Sequence, residues 1–450
     1  MRVARLLESF NTRGAADCLV WRGRYFTYSE VHSACADWGA RLDERGVSAG
    51  AIVGIKAGFS APAVSLFFAL LARGCTAALI PPSAKDETVY LTDGQIEGLF
   101  RFEDSGDWTW EPQDRRADHP LIAQLRTAGE GGFMIFSSGS TGRPKAVLHS
   151  AERFLKKYDA PGKPLRTLAF LLFDHIAGID TLFYTLSAGG ALILPERRDP
   201  LTVCRAIQDH RVEVLPASPA FLNLLCMSGD FRDFDLGSLK IITYGSEPMN
   251  QGTLDQICEI FPNARIVQKY GTSEFGAPRA QSRGNDSLWL RLKDDELGVQ
   301  IREGMLWVRA DTAMLGYLNA PQPFDDEGWY CTGDMVERDG EWIRILGRQS
   351  DVIIVGGEKV YPQEVEAVIA DLDWVADVAV KGEPHPMLGQ IVTARIYPAR
   401  VLDDVDVRLE VRRYCRARLA SYKVPAKVEV AEHSLTSDRQ KKDRSGANSR

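Results

Sequence analysis

The chain has 450 residues, of which 45% are hydrophobic and 26% charged, a composition typical of a globular protein with a large core. This length predicts one large domain and a smaller one, and the net charge of −7 argues against general nucleic-acid binding. The eight cysteines form no CxxC pair and no cluster with histidine at metal-ligand spacing, so we expect free thiols in a reducing compartment.

The amino-terminal segment, MRVARLLESFNTRG, has no uninterrupted apolar core because Glu8 breaks it, and we therefore expect no signal peptide. The most apolar stretch is APAVSLFFALLARG, which is shorter than the roughly 20 residues that span a bilayer and predicts a buried helix. Both segments favour a cytoplasmic protein with no membrane partner.

Up to about residue 285, short apolar runs alternate with helical stretches. AIVGIKAG, FMIFSSG, GGALILP and LKIITYG are typical of strands, whereas AFLNLLCMSG and NQGTLDQICEIF are typical of helices. This alternation predicts an α/β domain of mainly parallel sheets with covering helices, in which the loops at the carboxyl ends of the strands carry the chemistry.

Beyond residue 285 the pattern changes. ELGVQIREGMLWVRA and VERDGEWIRILGR alternate apolar and polar residues around glycine-containing turns, which predicts a subdomain of antiparallel strands. DVIIVGG, VADVAVKG and IVTARIYP predict further strands, and YPQEVEAVIADL and DVRLEVRRYCRARLASY predict helices. We therefore expect a core domain over residues 1–347, a connecting segment over 348–351 and a small α+β domain over 352–450.

The segment FSSGSTGRPKAVLHS, residues 136–150, has the composition of a phosphate-binding loop, because glycines, hydroxyl side chains and a lysine follow an apolar strand. It departs from the P-loop pattern, in which the lysine follows the second glycine directly. Here Arg143 and Pro144 separate Gly142 from Lys145. A simple turn between two strands is the alternative interpretation.

Four further segments follow in order: YGSEPM at Tyr244, YGTSE at Tyr270, GWYCTGD at Gly328 and GRQSDVIIVGGEKVYPQEVE at Gly347. The five segments together resemble those of the adenylate-forming superfamily, which includes acyl- and aryl-CoA ligases, adenylation domains of peptide synthetases and luciferases. The resemblance covers nearly the whole chain. It implies that a small carboxylic acid attacks the α-phosphate of ATP, and that the thiol of CoA, or of the phosphopantetheine on a carrier protein, then attacks the acyl-adenylate.

The resemblance also implies roles for individual residues in binding ATP and Mg²⁺. Tyr270 would lie beside the adenine with Gly271 in the same segment, Ser273 would act at the α-phosphate, and Glu274 would bind Mg²⁺, for which a carboxylate oxygen is a suitable ligand. Catalysis should come from positioning and positive charge, because an anion must approach a polyanion. The residues expected at the β- and γ-phosphates are Ser137, Ser138, Gly139, Ser140, Thr141, Gly142 and Lys145.

Asp334 in CTGD is similar to the family's acceptor for the ribose hydroxyls, and Arg348 would reach the ribose or a phosphate. Asp351 falls on the family's hinge, where backbone rotation re-orients the small domain. The resemblance also implies that Gly245, Ser246 and Glu247 border the adenine pocket, although Glu247 is equally suited to a structural role. It implies that Gly356 and Gly357 line the pantetheine tunnel, with simple turn glycines as the alternative.

The family's catalytic lysine lies in a carboxyl-terminal segment of the form LPxTxxGKxxR. SLTSDRQKKDR resembles it, but Gln440 replaces the glycine and the spacing is one residue longer. Alignment on KKDR selects Lys441 over Lys442 as the residue that bridges the substrate carboxylate and the α-phosphate. A solvated basic tail is the alternative.

The segment LLFDHIAGID resembles the acid-binding helix of the family in two registers. In one, His175 matches the pocket residue of CoA ligases, with Phe173, Ile176 and Gly178 forming an apolar wall for an aryl or acyl group. In the other, Asp174 matches the carboxylate that holds the α-ammonium of an amino acid. We favour the His175 register, in which Asp174 is structural and caps a helix.

Three functions remain open from the sequence. The first is an AMP-forming acid–thiol ligase, which is favoured. The second is an adenylating amide synthetase or amino-acid-activating domain on the same scaffold. The third is a catalytically silent nucleotide-binding protein, suggested by the altered lysine motif but opposed by the intact Glu274, Asp334 and Arg348.

Overall fold

Four β-sheets and their covering helices form the described part of the chain. The structure is a computed structural model, and it describes residues 1–137, 143–160, 162–293, 297–399, 407–433 and 435. No helix within these ranges is long and apolar enough to cross a membrane.

The α-helices of the described residues are α1 Arg2–Arg13, α2 Tyr28–Glu44, α3 Ala61–Ala72, α4 Thr88–Asp93, α5 Pro120–Ala128, α6 Ala151–Leu155, α7 Ile176–Ser187, α8 Pro200–His210, α9 Pro219–Ser228, α10 Gln251–Ile260, α11 Pro362–Ala370 and α12 Val407–Arg416.

The strands of the first half are β1 Asp17–Trp21, β2 Arg24–Thr27, β3 Ile52–Lys56, β4 Thr76–Ile80, β5 Gly98–Phe102, β6 Trp108–Pro112, β7 Gly132–Ser137, β8 Lys145–Ser150, β9 Arg166–Leu168, β10 Ala191–Leu194, β11 Val214–Ala217, β12 Ile241–Tyr244 and β13 Arg265–Gln268. Those of the second half are β14 Ala280–Ser282, β15 Leu290–Leu292, β16 Leu297–Arg302, β17 Met305–Ala310, β18 Gly316–Tyr317, β19 Tyr330–Asp339, β20 Trp342–Arg348, β21 Ile353–Val355, β22 Glu358–Val360, β23 Val375–His385, β24 Gly389–Pro398 and β25 Lys427–Val430.

The first sheet has the order β13-β12-β11-β9-β10-β1-β2, and all its neighbours are parallel except the edge pair β1–β2. Its strands are short apolar runs because helices cover both faces, as in α/β domains. The helices start at clear caps: Ser218, for example, accepts a hydrogen bond from Phe221 N at the start of α9. The carboxyl ends of β11, β12 and β13 meet at one edge, which is where the site described below lies.

The second sheet has the order β18-β8-β7-β4-β3-β5-β6. Its central strands β7, β4, β3 and β5 are parallel, whereas β6, β8 and β18 join antiparallel. Helix α3 packs beside this sheet and is buried over nearly its whole length, as predicted from its composition. A large hydrophobic cluster, rich in Phe side chains and including Trp38, fills the space between sheets and helices.

The third sheet, β14-β15-β20-β19-β17-β16, is entirely antiparallel, and the fourth contains β21 to β25 with α11 and α12 against it. Strand β20 of the third sheet ends at Arg348, and β21 of the fourth begins at Ile353. The predicted segment 348–351 starts on the last residue of β20 and continues through a 3₁₀ turn at Gln349–Asp351. The predicted fold class, a mainly parallel α/β domain with a β-rich subdomain and a small α+β domain, is confirmed.

Two details differ from the sequence-based expectation. The segment DVRLEVRRYCRARLASY forms a helix only to Arg416, and a short 3₁₀ turn at Ser421–Lys423 follows. Strand β8 was expected only in the alternative interpretation of a turn between two strands: it pairs antiparallel to β7, with Ser137 opposite Lys145. The candidate phosphate-binding loop therefore closes a β-hairpin and does not lead into a helix, as a P-loop does.

Candidate active site

A cavity of about 270 Å³ opens at the carboxyl ends of β12 and β13. In parallel sheets the loops at this edge gather side chains from distant parts of the chain, and ligands bind there. Strands of the third sheet and helix α11 complete the wall. The lining includes Ser246, Glu247, Pro248, Gln268, Lys269, Tyr270, Gly271, Asp334, Gly347, Arg348, Asp351, Gln363 and Glu366.

Three of the predicted nucleotide-binding residues form one hydrogen-bonded network in this cavity. Tyr270 Oη donates to Asp334 Oδ2 at 2.6 Å, and Arg348 Nε lies 2.9 Å from Asp334 Oδ1. Asp334 and Arg348 face each other across the antiparallel pair β19–β20, which fixes their separation. The carboxylate is thus held in one orientation at the cavity wall, with acceptor capacity left on both oxygens.

The electrostatics of Asp334 are set mainly by its burial. Burial raises the pKa of this carboxyl group above its ordinary value, and the charge of Arg348 and the hydrogen bond from Tyr270 oppose the shift. Burial and the neighbouring Asp334 also raise the pKa of the Tyr270 phenol, so this hydroxyl stays a donor. A vicinal diol would find a partly desolvated acceptor here.

Glu274 and Ser273 lie in a tight turn closed by hydrogen bonds between the backbones of Thr272 and Gly276. Gly271 precedes the turn, and a Cβ there would lie 2.3 Å from the carbonyl oxygen of Gly276, so only glycine fits. The YGTSE segment therefore forms a compact turn with Ser273 and Glu274 at its centre.

The carboxylate of Glu274 is buried and held by a tyrosine from the second sheet. Tyr317 Oη donates to Glu274 Oε1 at 2.7 Å, and Lys145 Nζ lies 4.9 Å from the centroid of the Tyr317 ring. Strand β18, which carries Tyr317, pairs with β8, which begins at Lys145. The structure thus brings together Glu274 and the predicted loop lysine, through a tyrosine that the sequence reasoning missed.

A buried histidine supports the backbone beside Glu274. His149 Nε2 lies 2.7 Å from the carbonyl oxygen of Ser273, and the His149 ring stacks on Phe133 at 4.8 Å. Burial lowers the pKa of His149 to about 4, although its hydrogen bond to Ser273 and the charge of Glu274 act in the other direction. The ring is therefore neutral near pH 7, with the proton on Nε2.

Arg143 anchors the carboxyl-terminal end of the candidate phosphate-binding loop, just before β8. Its guanidinium binds both carboxylate oxygens of buried Asp93, at 2.7 and 2.5 Å. Asn319 donates to Asp93 Oδ2 and to the carbonyl oxygen of Pro144, and accepts from Ala146 N. This ion pair lowers the pKa of Asp93 and fixes the position at which the chain enters β8. Within the loop, Ser138, Gly139, Ser140, Thr141 and Gly142 lie outside the described residues.

A second, smaller cavity of about 70 Å³ adjoins the first and shares Ser246, Lys269, Tyr270 and Gly271 with it. His175 and Ile176 line it, as expected for an acid-binding pocket. The other lining residues come from α7, from the ends of β11 and β12, and from the segments before α7 and after the YGTSE turn: Leu171, Ala177, Asp180, Thr181, Pro216, Ala217, Thr243, Tyr244, Gly245, Ser246 and Ala277.

Phe173 and Gly178, expected in the apolar wall, lie elsewhere. Phe173 packs in the core against Phe59 and Phe67, with ring centroids 4.7 and 5.7 Å apart. A Cβ at Gly178 would lie 1.8 Å from the carbonyl oxygen of Leu172, so this glycine allows α7 to pack closely on the preceding segment. Both residues therefore have packing roles.

The helix cap at the start of α7 is His175, not Asp174. His175 Nδ1 accepts from Ala177 N at 3.4 Å, so the expectation that Asp174 caps a helix is corrected. Asp174 is buried and does not line the smaller cavity. The carboxylate that does line it belongs to Asp180, which lies on α7 itself.

The remaining predicted residues lie around the edge of this site or beyond it. Asp351 lines the larger cavity and accepts from Ser350 Oγ at 3.0 Å. Gly356 and Gly357 form the turn between β21 and β22, with positive φ angles of 59° and 93°, and line neither cavity. Lys441 and Lys442 lie outside the described residues.

The residues around Glu274 suit a metal ion that arrives with its ligand. Mg²⁺ is usually held by one or two carboxylates together with substrate phosphates and water. Glu274 supplies a buried carboxylate, and no group of three His, Cys, Asp or Glu side chains suited to a metal occurs in the part of the chain that the structure describes. The site fits a metal bound jointly with phosphate and not a protein-only metal centre.

Comparisons with known proteins agree with this geometry. Residues 100–318 match the family of AMP-binding enzymes, and residues 364–442 match the AMP-binding enzyme C-terminal domain. The chain is 31% identical over 342 residues to the long-chain-fatty-acid–CoA ligase FadD13 of Mycobacterium tuberculosis, covering 70% of this chain and 66% of that protein. It is 30% identical over 323 residues to the 2-succinylbenzoate–CoA ligase of Bacillus licheniformis, covering 66% of this chain and 65% of the relative. Both matches span just under two thirds of the relatives' own length.

Among solved structures, the anthranilate CoA ligase AuaEII in complex with anthranoyl-AMP superposes with a TM-score of 0.84. The two sequences are 20% identical, and the match covers 98% of this chain and 95% of that one. At this identity the likeness shows a common fold.

Proposed function

The chain belongs to the family of AMP-binding enzymes, and we propose that it activates a carboxylic acid with ATP and transfers the acyl group to a thiol. The single observation that carries this proposal is the Tyr270–Asp334–Arg348 network, which places a held carboxylate and a cation at one cavity. The adjoining smaller cavity supplies space for an acid beside the same tyrosine.

In the first half-reaction, an oxygen of the substrate carboxylate attacks the α-phosphorus of ATP and pyrophosphate leaves. The acid would occupy the smaller cavity beside His175 and Ile176. The ribose hydroxyls would donate to Asp334, and the adenine would lie between Tyr270 and the segment that contains Gly245, Ser246 and Glu247. No covalent bond to the protein is needed, so positioning and charge account for the rate.

Charge at the phosphates would come from several groups. Lys145, whose ammonium group lies over the ring of Tyr317, and Arg348, which pairs with Asp334, would both contribute, and we assign Lys441 to the substrate carboxylate and the α-phosphate. Mg²⁺ bound by Glu274 would neutralise phosphate charge. Tyr317 holds that carboxylate in place, and His149 supports the backbone of Ser273 next to it.

In the second half-reaction, a thiolate attacks the carbonyl carbon of the acyl-adenylate, a thioester forms and AMP leaves. We propose that rotation at Asp351 brings Gly356 and Gly357 to the thiol channel. Both glycines have backbone angles that other residues rarely adopt, and Gly357 has no atom within 4 Å of where a Cβ would lie, so this turn presents open backbone.

The relatives named above are CoA ligases, and we propose CoA as the thiol acceptor. The phosphopantetheine of an acyl or aryl carrier protein carries the same thiol and is the alternative acceptor. The eight cysteines are all free, which is in keeping with the proposed cytoplasmic location.

The experiment is an acid panel in which pyrophosphate release is measured with ATP and Mg²⁺, and is then repeated with CoA, a phosphopantetheinylated carrier protein or an amine. We expect acid-dependent pyrophosphate release and a thioester with CoA. An amide as the main product would favour the amide synthetase. Binding of ATP without release for any acid would favour the catalytically silent protein.

A further inference from the structure

The smaller cavity has two charged side chains in a wall that is otherwise mostly apolar. Asp180 projects from α7, and Lys269 follows β13 directly. Around them lie Leu171, Ile176, Ala177, Pro216, Ala217 and Ala277. Charged groups in such a wall are costly unless they are paired, so their partners show what the cavity can hold.

The charge of Asp180 is already balanced within the protein. Lys157 forms an ion pair with Asp180 Oδ1 and also donates to the carbonyl oxygen of Ala277 at 3.2 Å. Tyr158 Oη donates to the same Oδ1 at 2.5 Å. Asp180, which lines the cavity, is thus paired with Lys157 and Tyr158, which do not.

Lys269 adds a second cation to this arrangement. Burial lowers the pKa of Lys269 below its ordinary value; the charge of Asp180 opposes this shift, and the cations Lys157, Arg279 and Arg265 add to it. One carboxylate therefore faces more than one cation around the cavity. Lys269 is partly buried, and an anion bound beside it would offset the cost of desolvating its ammonium group.

We propose that the acid activated by this enzyme carries a second negatively charged group, most simply a second carboxylate, which Lys269 binds in the smaller cavity. The inference rests on the proposed adenylation and names the class of its substrate. The cavity, at about 70 Å³, suits a compact diacid. An acid with an ammonium group is suited less well, because Asp180 Oδ1 already accepts from Lys157 and Tyr158.

The test compares wild type with Lys269→Met on matched acids. The pairs are short straight-chain dicarboxylic acids from malonate to adipate with their monoamides, and the benzenedicarboxylic acids with benzoate. Pyrophosphate release gives KM and kcat for each acid. We expect wild type to prefer the diacid of at least one pair. Lys269→Met should raise the KM for that diacid by at least tenfold, with kcat and the KM for the uncharged analogue changed much less.

Two further variants keep the result interpretable. Lys269→Arg keeps the charge and should retain a preference for the diacid, which a purely structural role would not require. Lys240→Met replaces an exposed lysine at the start of the neighbouring strand and should leave both KM values unchanged.

Preference of wild type for the monoacids, or an unchanged KM for the diacid in Lys269→Met, would overturn the inference and leave the proposed function standing. The inference would also be overturned, with the proposed function still standing, if wild type preferred an amino acid over its deaminated analogue and Asp180→Asn abolished that preference. If no acid drives pyrophosphate release and calorimetry detects no binding of any diacid, both proposals fail.

Discussion

The neutral state of buried His149 predicts a specific dependence of stability on pH. In an unfolded chain this side chain takes up a proton near its ordinary pKa of 6.5, whereas burial lowers its pKa in the folded protein to about 4. Between these two pH values the unfolded chain binds more protons than the folded protein does. The contribution of neutral His149 to folding stability is therefore complete above pH 6.5 and is lost as the pH falls towards 4. From pH 7.5 to pH 5 the loss is about 2 kcal/mol, and it reaches about 3 kcal/mol at pH 4.

The assay is urea unfolding of wild type and His149→Gln at several pH values between 5 and 7.5. Glutamine keeps an N–H donor for Ser273 but does not titrate, so the difference in free energy of unfolding isolates His149 from other groups. We expect this difference to shift against wild type by about 2 kcal/mol over that range. Replacement of exposed His433 by Gln controls for general effects of losing a histidine. A difference that does not change with pH would refute a buried, neutral His149.

Three further predictions concern catalysis. Lys441→Ala should lower adenylation by roughly 10²-fold while thioester formation from supplied acyl-adenylate survives, and loss in Lys442→Ala instead would shift the alignment by one residue. Asp351→Pro fixes φ near −65° and should leave pyrophosphate release intact while thioester formation fails; equal loss of both would argue against hinge rotation. Tyr317→Phe removes the hydroxyl that donates to Glu274 and should lower the rate of pyrophosphate release about tenfold, which corresponds to roughly 1.4 kcal/mol of activation free energy.

The sequence predicted those parts of the site that lie in short local segments. Tyr270, Asp334 and Arg348 were named because each belongs to a recognisable run of residues, and the structure places them in one network. The alternation of apolar and helical runs was sufficient for the fold class, because strand and helix periodicity are local properties.

The residues that were missed act through pairing between distant strands. Tyr317 reaches Glu274 because the two-residue strand β18 joins β8, and a strand so short has no periodicity to detect. His149 lies in the apolar run AVLHS, where a single polar residue in a buried strand was the available signal. Packing, not pattern, also decided that Phe173 and Gly178 lie outside the smaller cavity.

The measurement that tests the central claim most directly follows the oxygen atoms of the acid. An acid found active in the panel is prepared with ¹⁸O in its carboxylate and is converted to the thioester with ATP and CoA. If the carboxylate attacks the α-phosphorus, one labelled oxygen must remain on AMP after the thiol displaces it, and mass spectrometry should find AMP heavier by one ¹⁸O. Label in inorganic phosphate with formation of ADP, or unlabelled AMP beside a complete yield of thioester, would contradict adenylation at this site.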